Sequence, residues 1–301
     1  MKKESILGLF YTISAFTIWG VLPLFWNLLK KINSAEILAH RVLWAFLFFL
    51  IINLIKGNKK KVKNTFKEKD KIKLIAFSSF LLGSNWFLYV WAVTHGKVIE
   101  ASMGYYINPI FSIFLGMLFL KEKLTRLQVI ALISAIIGVL IIIFGYGKFP
   151  WVAILLMLLF GLYGLAKKLS KTDSLISLNI ETLLMLPFIL FIILKIRIKE
   201  MQLLPQNSLY YLLLLIIGGI LTAIPIYFFS QGAKLVKLSY IGFFQYISPS
   251  LNLIIGIFIL KETFTRIHLI SFCFIWFALF LFIISNFNIR KKPLKESVFV
   301  E

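Results

Sequence analysis

The chain has 301 residues, of which 60% are hydrophobic and 15% charged, with a formal net charge of +21 and a mean hydropathy of +0.93. Soluble domains are nearer half apolar and a quarter charged, so one water-soluble core of this size does not absorb the apolar surplus. In a soluble protein the basic charge would suggest a nucleic-acid partner, but here the Lys and Arg sit between apolar runs, where they set topology and meet anionic headgroups, so no nucleic acid is expected.

In chain order, ten apolar runs read as spanning helices: 6–29, 35–55, 74–94, 99–120, 127–146, 150–166, 174–194, 209–232, 238–260 and 267–286. The first begins almost at the N-terminus. It is too long for the apolar part of a signal peptide and no small-residue cleavage pattern follows it, so it is expected to be retained. Between the second and third runs, Lys56 to Lys73 holds nine Lys offset by Glu68 and Asp70, and a solvated loop is expected. The last run holds the one cysteine, Cys273. That excludes a disulfide framework and a CxxC metal site and leaves a buried, inert thiol as the expectation. No connection is long enough for a separate folded domain. The expected fold is an all-α integral membrane protein.

The charges orient the spans. With the N-terminus in the cytoplasm, the inside segments carry 23 Lys and Arg and the outside segments 9, with Arg41 left within a span. That bias places both termini inside.

The chain also repeats itself. Shifted by 140 residues, Lys97–Ile130 lies over Lys237–Ile270 without a gap, and 11 of 34 positions are identical. The clearest pair is Leu-Lys-Glu-x-x-Thr-Arg, at 120–126 and again at 260–266. The offset spans five helices, an odd number, so the second half is expected to cross the membrane inverted relative to the first. Two inverted five-helix repeats are the plan of many secondary transporters, with a substrate site near the midplane between them. The expected boundaries are 1–146 for the first repeat, 147–289 for the second, and 290–301 for a basic cytoplasmic tail.

Finer motifs run from the first helix to the last: Trp19-Gly20-x-x-Pro23; Glu36-x-x-x-His40-Arg41-x-x-Trp44; Asn85-Trp86-x-x-Tyr89-x-Trp91-Ala92; Ser102-Met103-Gly104-Tyr105-Tyr106-Ile107-Asn108-Pro109; Phe160-Gly161-x-Tyr163-Gly164; Thr222-Ala223-x-Pro225; Gln245-Tyr246-Ile247-x-Pro249; and Phe274-Ile275-Trp276. The two halves resemble EamA domains of the drug/metabolite transporter superfamily, and these motifs resemble its RarD branch. The resemblance implies ten helices, cytoplasmic termini and a bacterial inner membrane. It also implies export of a small polar metabolite, amino acid or drug. It does not fix the substrate.

Ionisable residues inside a bilayer cost about 2.5–3.5 kcal/mol on insertion scales and are functional candidates by default. Glu36 and His40 stand four apart on the second helix and so share a face, a protonatable pair. Arg41 lies roughly 9 Å into the bilayer at 1.5 Å per residue and is a clamp for an anionic or carboxylate group. The plain alternative is an interfacial cluster that orders the helix start and snorkels outward. Glu181 falls on Arg41 under the 140-residue shift. From their own faces of a core about 30 Å thick, the two backbones differ by about 12 Å in depth. They are expected as two poles of one cavity, with Glu181 a proton-coupling candidate beside Glu36 and His40; alternatively Glu181 is a structural acid bonded to Asn179 or Tyr163.

A second group is polar or aromatic and clusters near proline: Asn85, Trp86, Tyr89, Tyr106, Asn108, Tyr163, Gln245 and Tyr246 as substrate-binding candidates, with Pro109, Pro225 and Pro249 as hinges. A Pro within a span frees a backbone carbonyl and permits a bend. There is no phosphate-binding glycine loop and no HExxH, and the only histidines are His40, His95 and His268. The chain is therefore read as no enzyme, with no cofactor and no metal. The expected partners are membrane lipid and a small-molecule substrate, and the driving force is an ion gradient or the substrate's own. The sequence sets no oligomeric state, and a monomer satisfies every feature read here. The competing classes are a membrane enzyme or sensor and a lipid or amphiphile translocator.

Overall fold

The computed structural model describes residues 3–199, 208–259 and 265–291. They form twelve helices: α1 (Lys3–Leu28), α2 (Ser34–Ile55), α3 (Lys59–Lys67), α4 (Lys69–Thr94), α5 (Val98–Leu120), α6 (Arg126–Tyr146), α7 (Trp151–Leu169), α8 (Ser174–Lys199), α9 (Ser208–Leu235), α10 (Leu238–Gln245), α11 (Ile247–Phe258) and α12 (Arg266–Lys291). No strand occurs among the described residues. Ten segments are long and apolar enough to cross a membrane, with α10 and α11 together making one of them. The second copy of the loop motif from 260 to 264 and the basic tail beyond 291 lie outside the described residues.

Local chemistry sets the helix ends. Asn33 starts α2 by accepting a hydrogen bond from the Ala35 amide at 2.8 Å. Thr125 and Gln128 form a capping box at the start of α6, which satisfies two otherwise orphaned amides. The expected solvated loop at 56–73 is instead the helix α3 running into α4. Val62, on α3, packs with Ile72 against Ile75, Ile176 and Ile180. Helical spacing thus gives a Lys-rich segment an inner face.

The ninth span breaks at Tyr246, three residues before Pro249. Proline lacks the N–H that would bond the carbonyl four residues back, which here is that of Gln245. The other expected hinges do not interrupt their helices: Pro109 sits inside a continuous α5 and Pro225 inside a continuous α9.

In the bundle, α1 lies against α9 and α11, α2 against α8 and α9, α4 against α7 and α8, and α5 against α7 and α10. Their inner faces share one core around Phe16, Leu38, Phe49, Tyr163 and Phe229. The α6–α12 pair stands to one side. A Cβ placed on Gly138 of α6 would lie 2.7 Å from the Ser271 carbonyl oxygen of α12, so glycine permits this close approach. Cys273 is exposed on the outer side of α12 rather than buried, because that helix turns its packed face inward, to α6, to Tyr106 of α5 and to Phe243 of α10.

Two cross-bundle hydrogen bonds join positions 140 apart. Ser134 Oγ donates to the Phe274 carbonyl at 2.8 Å, and Tyr246 OH donates to the Tyr106 carbonyl at 3.3 Å.

Candidate functional site

A cavity of about 470 Å³ opens among α1, α2, α4, α5, α7 and the α10–α11 span. Lys30, Ile32 and Ser34, on and beside the α1–α2 connection, mark its mouth, and Phe16, Phe160 and Gln245 lie deeper. Its wall holds Arg41, Asn85, Trp86, Tyr89, Gln245 and Pro249 from the sequence candidates. It also holds Trp26, Tyr105, Ser248 and Asn252, which sequence reasoning did not single out. Trp26 was legible in principle: it continues the helix face of Trp19 and Pro23 at positions seven and three further on.

Arg41 is the centre of the wall. Its guanidinium carbon sits 4.8 Å from the Trp26 ring and 5.4 Å from the Trp86 ring, and its Nε donates to Thr222 Oγ1 at 3.0 Å. Each cation–ring contact contributes about 0.5–2 kcal/mol depending on hydration. Among the described residues no Asp or Glu lines the cavity, and the described salt bridges do not include Arg41. The cavity thus offers a positioned cation with Lys30 at its mouth and no built-in counter-ion. Around Arg41, Tyr89 and Tyr105 meet edge to face at 5.9 Å. Asn85 has its amide nitrogen turned to the Leu156 carbonyl at 3.1 Å.

The remaining candidates lie elsewhere. Tyr106 and Asn108 are not in the cavity wall. Asn108 is buried and accepts from Ser112 Oγ at 3.2 Å, and that hydroxyl also stands 3.5 Å from Gln245 Oε1. Tyr246 is fully buried, with its hydroxyl on the Tyr106 backbone. His40 accepts at Nδ1 from Trp44 Nε1 at 3.1 Å, and Glu36 is buried at the start of α2; neither lines the cavity.

The expectation that Glu181 and Arg41 share one cavity is corrected. Glu181 and Tyr163 are both 0% exposed and outside it. Asp173 caps α8 through the Leu175 amide at 2.8 Å, which sets Ser177 and Glu181 one turn apart on that helix. Glu181 Oε1 lies 2.8 Å from Lys167 Nζ and accepts from Ser177 Oγ at 2.7 Å; Oε2 accepts from Tyr163 OH at 3.3 Å. Lys167, counted in the sequence among loop cations, is 0% exposed, because α7 runs to Leu169 and carries it inside the bundle.

This cluster belongs to a closely packed region. Lys234 donates to the Thr172 carbonyl and Lys168 to the Val236 carbonyl there. Glu122, from the first copy of the loop motif, accepts from the Leu238 and Ser239 amides at 2.7 and 2.8 Å, which places a carboxylate at the amino end of α10.

A second concavity of about 500 Å³ lies between α2, α4 and α8, walled by Phe80, Phe87, Leu184 and Phe188 among others. It shares Leu38 and Trp86 with the first cavity.

Comparison with known proteins agrees with this arrangement. The model of the EamA-like transporter family matches residues 6–144 and again 149–284. The uncharacterized transporter YojE of Bacillus subtilis is 42% identical over 286 residues, covering 94% of this chain and 95% of that protein. Protein RarD of Escherichia coli is 34% identical over 293 residues, covering 97% and 99%. The chloramphenicol-sensitive protein RarD of Pseudomonas aeruginosa is 26% identical over 278 residues, covering 91% and 92%. A crystal structure superposes with a TM-score of 0.71 at 15% identity, covering 95% of this chain and 99% of the other, which is a likeness of fold alone. The chain belongs to the EamA-like transporter family, as a RarD-type member, and is a multi-pass membrane transporter.

Proposed function

We propose that the protein is a secondary transporter that exports a small anionic or zwitterionic solute by alternating access, with Arg41 binding the solute's anionic group. The observation that carries this reading is the Arg41 guanidinium, 4.8 Å from the Trp26 ring and 5.4 Å from the Trp86 ring, in a cavity with no carboxylate among its described lining residues. A cation left in such a wall without a counter-ion is unfavourable, and a ligand carboxylate or phosphate relieves it through charge-assisted hydrogen bonds. Asn85, Tyr89 and Gln245 line the same space and supply hydrogen-bonding groups for the rest of the ligand. The two matched family segments and the hydrogen bonds between positions 140 apart support two inverted five-helix repeats. The charge bias supports an inner-membrane orientation with cytoplasmic termini, so the cavity mouth faces outward. If transport is proton-coupled, Glu36, His40 and Glu181 are the carriers to test.

The apolar concavity beside α4 favours a second reading, translocation of an amphiphile, because it adjoins the cavity through the shared Leu38 and Trp86. One experiment divides the two. Purified protein is screened by thermal unfolding against amino acids, small organic anions, thiamine-like cations and chloramphenicol. A ligand at about 100 times its dissociation constant stabilises by roughly 2.7 kcal/mol. A stabilising anion or zwitterion whose effect disappears in Arg41→Ala supports the clamp. A stabilising cation or neutral drug indifferent to Arg41→Ala refutes it, and stabilisation by long-chain amphiphiles alone supports the second reading.

A further inference from the structure

The open cavity has a shut counterpart. Adding 140 to wall positions Pro23, Ile37, Arg41, Tyr89 and Val90 gives Tyr163, Ser177, Glu181, Phe229 and Ser230. The first set surrounds about 470 Å³ of space. Every member of the second is at most 2% exposed. At these five positions the two halves differ, lining space in one and packed in the other, and the packed set includes Glu181 and its partners Tyr163 and Ser177.

We propose that this packed set is a second cavity, shut in this conformation, and that the Lys167–Glu181 pair is its gate. The proposal rests on the alternating-access reading above. An ion pair suits a gate because it has two favourable arrangements. Dry and paired, its charges satisfy each other, with Ser177 and Tyr163 completing the carboxylate's hydrogen bonds at 2.7 and 3.3 Å. Separated and wet, each ion recovers the hydration it lost on burial. The costly arrangement is the one between, separated and dry. An apolar pair at the same place would gain nothing from water and would hold the face shut.

The gate is also connected to the open cavity. Phe160 lines that cavity; its ring lies 6.0 Å from Tyr163 and 5.2 Å from Phe229. Tyr163 stacks on Phe229 at 6.0 Å and bonds Glu181 through its hydroxyl. A ligand that displaces Phe160 therefore bears on the gate through packed rings. Opened, the second cavity presents a carboxylate and an ammonium group, which suits a hydrated polar solute rather than an alkyl chain.

Cysteine accessibility tests this without knowledge of the substrate. In full-length protein carrying Cys273→Ala and reconstituted in vesicles, Val90→Cys and Ser230→Cys are introduced singly and labelled with N-ethylmaleimide. Val90→Cys is expected to react quickly, and Ser230→Cys slowly, at a rate set by gate opening. Adding Lys167→Met with Glu181→Met should slow Ser230→Cys by about tenfold or more by favouring the shut state, while Val90→Cys stays fast. The exchanged pair Lys167→Glu with Glu181→Lys, which keeps both charges, should recover the parental rate and controls for misfolding. Ser230→Cys reacting equally with and without the charged pair overturns the gate and leaves alternation standing. Ser230→Cys never reacting while Val90→Cys does overturns alternation, and the gate with it.

Discussion

Arg41 on α2 and Glu181 on α8 occupy matching positions in the two halves of the chain, and the bundle treats them in opposite ways. Arg41 is half-buried, close to two indole rings, and lines open space. Glu181 is fully enclosed, with Lys167, Ser177 and Tyr163 all on its carboxylate. The difference lies in the neighbours one helix away: where α7 offers Tyr163 and Lys167 to Glu181, α1 offers Pro23 and Asn27 at the matching positions, and neither is a counter-ion. Matching positions of the repeat thus carry a cation beside open space in one half and an anion with its own counter-ion in the other.

The largest effect that would break this contrast is on stability. Glu181→Ala strands Lys167 in a dry core and should cost about 3–5 kcal/mol, whereas Lys167→Met with Glu181→Met should come close to parental stability or exceed it. Unfolding in detergent checks both, and a mild single variant would mean that water reaches the pair. Next comes ligand affinity. Arg41→Ala should weaken an anionic ligand by roughly 10- to 150-fold, the equivalent of about 1.5–3 kcal/mol for a charged hydrogen bond, and should destabilise the protein less than Glu181→Ala does. Arg41→Lys should rescue poorly, because a lysine neither stacks between two indoles nor bonds bidentately; titration calorimetry separates the three proteins. Glu122→Ala should cost about 0.5–2 kcal/mol, as loss of a helix cap does, read from the same unfolding curves. The smallest effect sharpens the comparison between halves. Pro249→Ala restores one possible backbone bond, worth roughly 0.5–1.5 kcal/mol, and should slow exchange of whichever ligand the screen finds. Pro109→Ala, in a helix already continuous, should change exchange less.

The ten spans were legible in the sequence because each is a run that water does not tolerate. Arg41 was legible for the converse reason, as an expensive charge inside such a run, and Asn85, Trp86, Tyr89 and Gln245 because they form polar and aromatic breaks in it. Lys167 was not. It stands at the edge of an apolar run beside Lys168 and Lys171 and reads as one more loop cation; only the turn of α7 carries it inside, opposite Glu181. Tyr163 was named both as a cavity residue and as a possible partner of Glu181, and spacing along a helix does not choose between faces until the neighbouring helices are placed. The helix at Lys59–Lys67 was hidden because its lysines outnumber the residues that anchor it. The break at Tyr246 rather than at Pro249 follows from a bond that proline removes four residues upstream, an effect displaced from its cause along the chain.

The two indoles beside Arg41 have a practical consequence. Trp26 and Trp86 both lie within 5.4 Å of the guanidinium carbon, so any anion that neutralises or shifts it changes the electric field across both rings. Indole emission follows such fields, so the transporter carries its own optical reporter of occupancy, and Trp26→Phe and Trp86→Phe would show which ring reads the charge.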